Sequence, residues 1–524
     1  MEGIRTQFAH NELGNIPPGT GGRKVTEKSI IVIGAGLAGL STGCYAQMNG
    51  YRTHIFEHHT TPGGVATAWK RKGYVIDGGI HFLMGHKPGQ SNYELYRELG
   101  TAQANRFLDL TTYSRFIDEA SGRSLDVTQD LTRLADELKA FSPTDARTIN
   151  NLITGARVMQ GSDMEWILSK PPELMGLLDK LKQMWRMRRM FKYFIGRYSK
   201  PVADYVQTIH DPWLRQVIEN MFLPEVPVWF LLMLLGLLAN GQMGLLEGGS
   251  LNFALPIEKR YKDLGGQVTY KATVEKILVE NGRAVGVRLA DGSEHRADIV
   301  VSTADGYSTI FKMLDGHYVD KWIDNQYKNW KLFRPLVMVS FGVAHEFTGE
   351  PWLSIIKLES SFTLGDQTID GIMVRIFNYS DKFAPTGKTV IQATFETEWD
   401  WWNDLQKYQP RYEAEKERVA AEVLERLEAH YPNISSQVEM TDVATPYTWW
   451  RYTRNHKGAY EAWLPTPEVI NTQVKKTLPG LANFYMAGQW VMPGGGVPAC
   501  LYSGRHVVQI LCHRDGKPFS TTFP

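Results

Sequence analysis

The chain has 524 residues, 43% of them hydrophobic and 22% charged, with 57 lysines and arginines against 56 aspartates and glutamates. That length and apolar content suffice for more than one buried core, and the near-neutral balance excludes a dedicated nucleic-acid binder, so no nucleic-acid partner is expected. Three cysteines, Cys44, Cys500 and Cys512, exclude a disulfide framework or a cysteine-built zinc site and point to a reducing compartment.

In chain order, residues 1–28 are rich in Gly, Pro and polar side chains without an apolar core of signal-peptide length, and are expected as a loosely ordered leader of a cytoplasmic protein. "SIIVIGAGLAGLSTGCYAQMNGYRTHIFE" reads as a βαβ unit: an apolar strand, a glycine turn, a helix with small residues on one side, and a second strand ending at Glu57. A mainly helical stretch is expected over about 90–245. Within it, residues 170–200 carry nine Lys or Arg against two acids, interleaved with Met, Trp, Phe and Tyr, the composition of a segment that lies on a membrane surface or of a solvated helix face. The apolar run from Val226 to Ala239 falls short of the roughly 20 residues a membrane-spanning helix needs. Farther on, Asn281-Gly282 and Asp291-Gly292 join β-rich runs and predict two hairpin turns. A mixed stretch, about 315–475, holds the strand-like runs "PLVMVSFGVA", "GIMVRIFNY" and "TVIQATFE" and one amphipathic helix, "YEAEKERVAAEVLERLEAH", with Val419, Val423 and Leu427 on one face. A last strand, "NFYMAG", runs into "MPGGGVP", and a helix, "ACLYSGRHVVQILCH", follows.

The turn matches G-x-G-x-x-G through Gly34, Gly36 and Gly39. The first glycine makes the tight turn, the second lets backbone approach a pyrophosphate, and the third lets helix and strand pack closely. Glu57, 21 residues after Gly36, stands where a carboxylate accepts from the ribose hydroxyls of a dinucleotide. FAD rather than NAD is favoured by the further glycine pairs Gly63-Gly64 and Gly78-Gly79, and by the late strand returning to the cofactor. "APTGKT" lacks the first glycine of a phosphate loop and reads as a turn, and the 14 histidines show no metal-ligand spacing, so no metal is proposed. Trp399, Trp401, Trp402, Trp449 and Trp450 read singly as core, and together as a set that could line an apolar slot beside the cofactor.

The segments "GAGLAGL", "FEHHTTPGG", "DGGIHF", "TVEKI", "APTGK", "ATPYTWWRYTRNHKGAY" and "MAGQWVMPGGGVPACLYSG" resemble the FAD enzymes that include phytoene desaturases, carotenoid isomerases and retinol saturases, relatives of the amine oxidases. The resemblance runs from about Ser29 to His513. It implies an α/β protein whose Rossmann-type FAD-binding domain, of the glutathione-reductase kind, is assembled from residues 29–90, 246–314 and 476–516. An interleaved α+β substrate and membrane-associated domain takes residues 91–245 and 315–475. It implies cofactor contacts at Gly34, Ala35, Gly36, Ala38, Gly39, Glu57, Gly63, Gly64, Val65 and Gly79, adenine held by the backbone of Val274, and pyrophosphate near Gly488. Val497 and Pro498 would open a helix whose amides face the flavin N1 and O2 side. Where desaturases usually read Pro-Gly, this chain has Pro498-Ala499. His81 falls where the family places a residue near the flavin ring, a candidate for proton transfer or substrate orientation.

The function so implied is saturation, desaturation or cis–trans isomerisation of a hydrophobic, isoprenoid polyene such as a carotenoid or retinoid, with quinone or oxygen as electron acceptor and a peripheral membrane contact. An amine-oxidase-like flavoprotein and a lipid-binding flavoprotein without turnover are the alternatives. "DGGIHF" is closer to the saturases and "PGGGVP" to the desaturases.

Overall fold

The computed structural model describes residues 27–160 and 168–524; of the leader expected over 1–28, residues 1–26 lie outside the described residues. Ser29–Ile33 is buried on both faces, which is why it reads as an unbroken apolar run rather than an alternation. It pairs in parallel with Arg52–Phe56 on one side and Ile299–Ser302 on the other; Gln267–Thr269 and Phe484–Met486 complete a five-stranded parallel sheet. Its strands therefore come from widely separated parts of the chain.

Helix Leu37–Met48 follows the glycine turn and is buried over its first ten residues, so its small residues serve contact on several sides. Ser41 Oγ donates to the Leu501 carbonyl at 2.7 Å, and a Cβ on Gly504 would fall 2.8 Å from Ala38 O, a backbone-to-backbone crossing with the C-terminal helix Gly496–Arg514. Against the sheet's other side lies an antiparallel sheet of Val274–Glu280, Arg283–Leu289 and Glu294–Arg296. Its first turn, with Asn281 at φ 49° and Gly282 at φ 71°, has the two left-handed residues that the Asn-Gly pair predicts.

The second large sheet has seven strands, in the order Val438–Ala444, Leu336–Val343, Thr389–Glu396, Gln367–Ile376, Leu353–Leu364, Thr112–Asp118 and Ser124–Thr128. The last two lie in the stretch expected to be mainly helical: they form a hairpin that joins this sheet through a parallel pairing with Leu353–Leu364. Helix Gln409–His430 covers one face with Val419, Val423 and Leu427 buried. The helices of 131–239 form a separate apolar core, in which Val228–Ala239 is a buried helix. Among the described residues no helix is long and apolar enough to cross a membrane.

Candidate functional site

A cavity of about 1040 Å³ lies between the parallel sheet, the seven-stranded sheet and the helical core. At one end the backbone itself forms the wall. Gly34 has φ +96°, and a Cβ on Gly39 would fall 1.9 Å from the Gly34 carbonyl, so only glycine lets the helix start this close to the strand end. Gly36 faces Gly63 and Gly64 across a gap where the Gly63 N–H donates to the Ala35 carbonyl at 2.9 Å. Gly34, Gly36, Ala38, Gly63, Gly64 and Val65 line the cavity; Ala35 and Gly39 sit behind them.

Glu57 closes this end. It is 8% exposed, its Oε2 accepting the Ala35 N–H at 2.6 Å and its Oε1 the His59 N–H at 2.7 Å. Burial raises its pKa and these amides pull it back. Beside it Ala272, Thr273 and Val274 present a strand edge to the cavity, and the Ala272 N–H donates to the Glu57 carbonyl at 2.8 Å.

The second glycine pair is held by the aspartate that opens "DGGIHF", whose partners no local pattern shows. Buried Asp77 accepts the Gly79 N–H at 2.9 Å, the Ser250 Oγ–H at 2.5 Å and the Ser250 N–H at 2.8 Å. A Cβ on Gly79 would fall 2.6 Å from the Val65 carbonyl. Two residues on, His81 opens onto the cavity. The cavity is walled by protein, so burial, reinforced by the charge of Arg375, pushes the imidazole down to about 3 and His81 has no proton to give at neutral pH.

The late glycine run forms the opposite lip. Gly488 has φ +104° and donates its N–H to Ser503 Oγ at 2.7 Å, while Gly494, Gly495 and Gly496 all have positive φ before the helix that Val497 and Pro498 open. Gly488, Val497 and Pro498 line the cavity and Ala499 does not, so its methyl leaves the cavity wall unchanged. Across this lip stands Glu461, whose carboxylate would lie 2.1 Å from a Cβ on Gly495; burial pushes it up to about 8. It sits one residue beyond a segment quoted for the resemblance, in a loop without periodicity, and nothing local marks it.

The far walls are largely apolar, with Phe82, Tyr113, Trp213, Phe230, Ile355 and Met373, and carry polar and charged groups as well, among them Gln216, Glu219, Arg334, Lys357 and Asp370. The five tryptophans expected to line a slot do not: none of Trp399, Trp401, Trp402, Trp449 and Trp450 borders the cavity. Trp402 is fully buried under helix Gln409–His430, where its indole N–H donates to Thr397 Oγ1 at 3.0 Å, and Trp449 packs behind Gly78. Short helices point Trp402, Trp449 and part of Trp401 into the protein's own cores, while Trp399 and Trp450 lie half-buried against each other.

The donor set at the glycine end fits a dinucleotide: a backbone cradle that any Cβ would fill, a helix N-terminus, and a carboxylate at the end of the neighbouring strand. The family described as flavin containing amine oxidoreductase matches residues 37–512. The chain is 26% identical to a chloroplastic prolycopene isomerase of Arabidopsis thaliana, over 90% of this chain and 81% of the relative. It is 24% identical to a lycopene-forming phytoene desaturase of a Paracoccus species, over 92% and 97%. Among solved structures, a redesigned putrescine oxidase superposes with a TM-score of 0.58 at 14% identity, over 93% of this chain and 99% of that one. An oxidoreductase from Methanosarcina mazei does so with a TM-score of 0.56 at 17% identity, over 92% and 100%.

Proposed function

The chain belongs to the flavin containing amine oxidoreductase family and is an FAD-dependent oxidoreductase, and we propose that its reaction is the redox-neutral cis–trans isomerisation of a hydrophobic isoprenoid polyene. The observation that carries this reading is the continuity of the cavity, which joins a backbone-lined cradle to aromatic and aliphatic walls without a break. The names of the prolycopene isomerase and phytoene desaturase relatives support a conjugated isoprenoid as the occupant.

In this reading Glu57 would accept from the ribose hydroxyls, the amides of Gly36 and Gly64 would face the pyrophosphate while Gly63, its N–H taken by the Ala35 carbonyl, allows close backbone approach, Val274 would offer its backbone to adenine, and Gly488 would give close approach from the far side. Ala35, Gly39, Val65 and Gly79 hold the cradle's shape. The Val497 amide and the positive end of the C-terminal helix would face the ring system, with Pro498 fixing the first turn. Reduced FAD bound there supplies an electron-rich ring against which positive charge on a polyene is stabilised. His81, neutral, orients the substrate.

The substrate's route runs from a lipid surface. Helix Leu177–Met187 exposes Leu177 (74%), Leu178 (81%) and Trp185 (65%), beside Lys180, Lys182 and Arg188. Exposed apolar side chains ringed by cations suit an anionic bilayer interface. Seven residues beyond the end of this helix, Phe194 packs on Trp229 at 5.1 Å, and Trp229 on the cavity-lining Phe230 at 5.8 Å, an aromatic row that reaches the cavity wall.

The test is anaerobic incubation of the FAD-loaded, dithionite-reduced enzyme with cis-configured polyenes. A geometric isomer of unchanged mass is expected. A hydrogenated product would mark saturation, and product formed only by oxidised enzyme with a quinone or oxygen would mark desaturation; either overturns isomerisation.

A further inference from the structure

Glu461 is a titratable group that the reading above leaves unused. Its carboxylate rests on the glycine run, accepts the Gly496 N–H, and lines the cavity with Gly494, Gly495, Gly496 and Cys500. Of the other cavity carboxyls, Asp370 is exposed on its strand, while Glu57 is engaged by the amides of Ala35 and His59, Asp305 by the Ser308 N–H at 2.8 Å, and Glu396 and Glu219 by the charges of Arg334 and Arg215. Glu461 has no cationic partner among the described residues. The titratable groups facing it are Tyr460, itself near Glu396 and Glu225, and Cys500 in the first turn of the C-terminal helix; burial keeps both protonated.

Burial pushes Glu461 up to about 8, so it carries a proton at neutral pH, while His81 in the same cavity carries none. Two groups whose surroundings drive their proton affinities apart divide acid from base.

We infer that Glu461 is the catalytic acid of this cavity: its carboxyl gives a proton to one carbon of the bound polyene and takes one back after the neighbouring bond has turned. The inference rests on the polyene reading. In the forward step the Glu461 O–H bond breaks, a C–H bond forms from one π pair, and positive charge spreads along the conjugated chain, leaving single-bond character where rotation occurs. The carboxylate left behind is met by the Gly496 N–H and the positive end of helix Gly496–Arg514. Loss of a proton from the same carbon restores the π pair and reprotonates Glu461, so no oxidant or reductant is consumed.

Three measurements on the FAD-loaded protein test this. Infrared difference spectra between pH 6 and pH 9 should show a protonated-carboxyl band that disappears on the alkaline side and is missing in Glu461→Gln. Glu461→Gln should retain FAD and lose about 10²–10⁴-fold in turnover, with part recovered in Glu461→Asp. In heavy water the wild type should place deuterium in the isomerised product and Glu461→Gln should not. A Glu461 ionised at neutral pH overturns the proposal outright. A polyene-active enzyme whose Glu461→Gln variant keeps its turnover and deuterium pattern overturns the acid role alone. A protonated Glu461 in a protein that isomerises no polyene overturns the functional reading and the acid role with it.

Discussion

The carboxylate of Glu57 ties the glycine turn to the loop beyond the second strand, taking the Ala35 N–H on one oxygen and the His59 N–H on the other. Glu57→Ala leaves the Ala35 and His59 amides without this acceptor and removes the group proposed to accept from the ribose. A lost charged hydrogen bond costs about 1.5–3 kcal/mol, or roughly ten- to a hundredfold in FAD affinity. The FAD-to-protein ratio after gel filtration, and FAD titration of the stripped protein, measure it. Retention equal to wild type would remove the ribose assignment.

Gly39→Ala puts a methyl 1.9 Å from the Gly34 carbonyl and 2.9 Å from Thr303 Oγ1. The first neighbour is backbone, so the helix must shift off the strand end, and overpacking of this kind costs about 1–3 kcal/mol. A lowered Tm with little bound FAD is expected; a yellow protein with wild-type Tm would contradict the close packing.

Gly495→Ala acts on the other lip. Gly495 has φ 61° and ψ −159°, a region open essentially to glycine, and the added carbon would fall 2.1 Å from Glu461. The protein should fold with its C-terminal helix intact and its Glu461 carboxyl displaced, seen as a shifted infrared carboxyl band and a drop in turnover. An unchanged band and rate would place Glu461 elsewhere.

Stability should depend on pH with two limbs of opposite sign. Buried His506, facing the Leu168 carbonyl, is pushed down to about 3 by burial and then by the charge of Lys476. Below its ordinary 6.5 the unfolded chain binds the extra proton, so stability falls as pH drops from 6.5 towards 3, by at most about 1.4 kcal/mol per pH unit. Glu461 works in the other direction: with its pKa raised from 4.5 to about 8, the folded state holds the extra proton and stability falls as pH rises through that window. Denaturant unfolding across pH 4 to 9 should show His506→Gln making the acid limb, which His81 and His456 share, less steep, and Glu461→Gln doing the same to the alkaline one. Limbs unchanged in both variants would contradict these environments.

Sedimentation with anionic vesicles at low salt should pull down the wild type. Replacing Leu177, Leu178 and Trp185 by Ser should abolish it, and replacing Arg186, Arg188 and Arg189 by Gln should make it weaker and more salt-sensitive. Absence of binding at low salt would remove the membrane route.

The βαβ unit and both Gly turns are legible in the sequence because each depends on neighbours a few residues away: the spacing of Gly34, Gly36 and Gly39, or the left-handed pair at Asn281-Gly282. Asp77 and Glu461 are not legible, since Asp77 acquires its meaning from Ser250, 173 residues away, and Glu461 from Gly495 and Gly496. The hairpin of Thr112–Asp118 and Ser124–Thr128 hides in a helix-rich stretch because its strands are short and find their sheet partner at Leu353–Leu364. Tryptophan clustering misleads for the same reason: density along the chain says nothing about which way a short helix turns its rings.

The parallel sheet takes its edge strand from Phe484–Met486, and the cavity takes its lip from the helix that follows. During synthesis the glycine turn near residue 36 leaves the ribosome long before the segment that closes over it. The nascent chain must hold an open cradle, with strand Ile299–Ser302 as an unpaired edge, until almost the whole polypeptide has emerged. Completion of the cradle is therefore a late event of biogenesis, and until then its unpaired edge is exposed to proteases and chaperones.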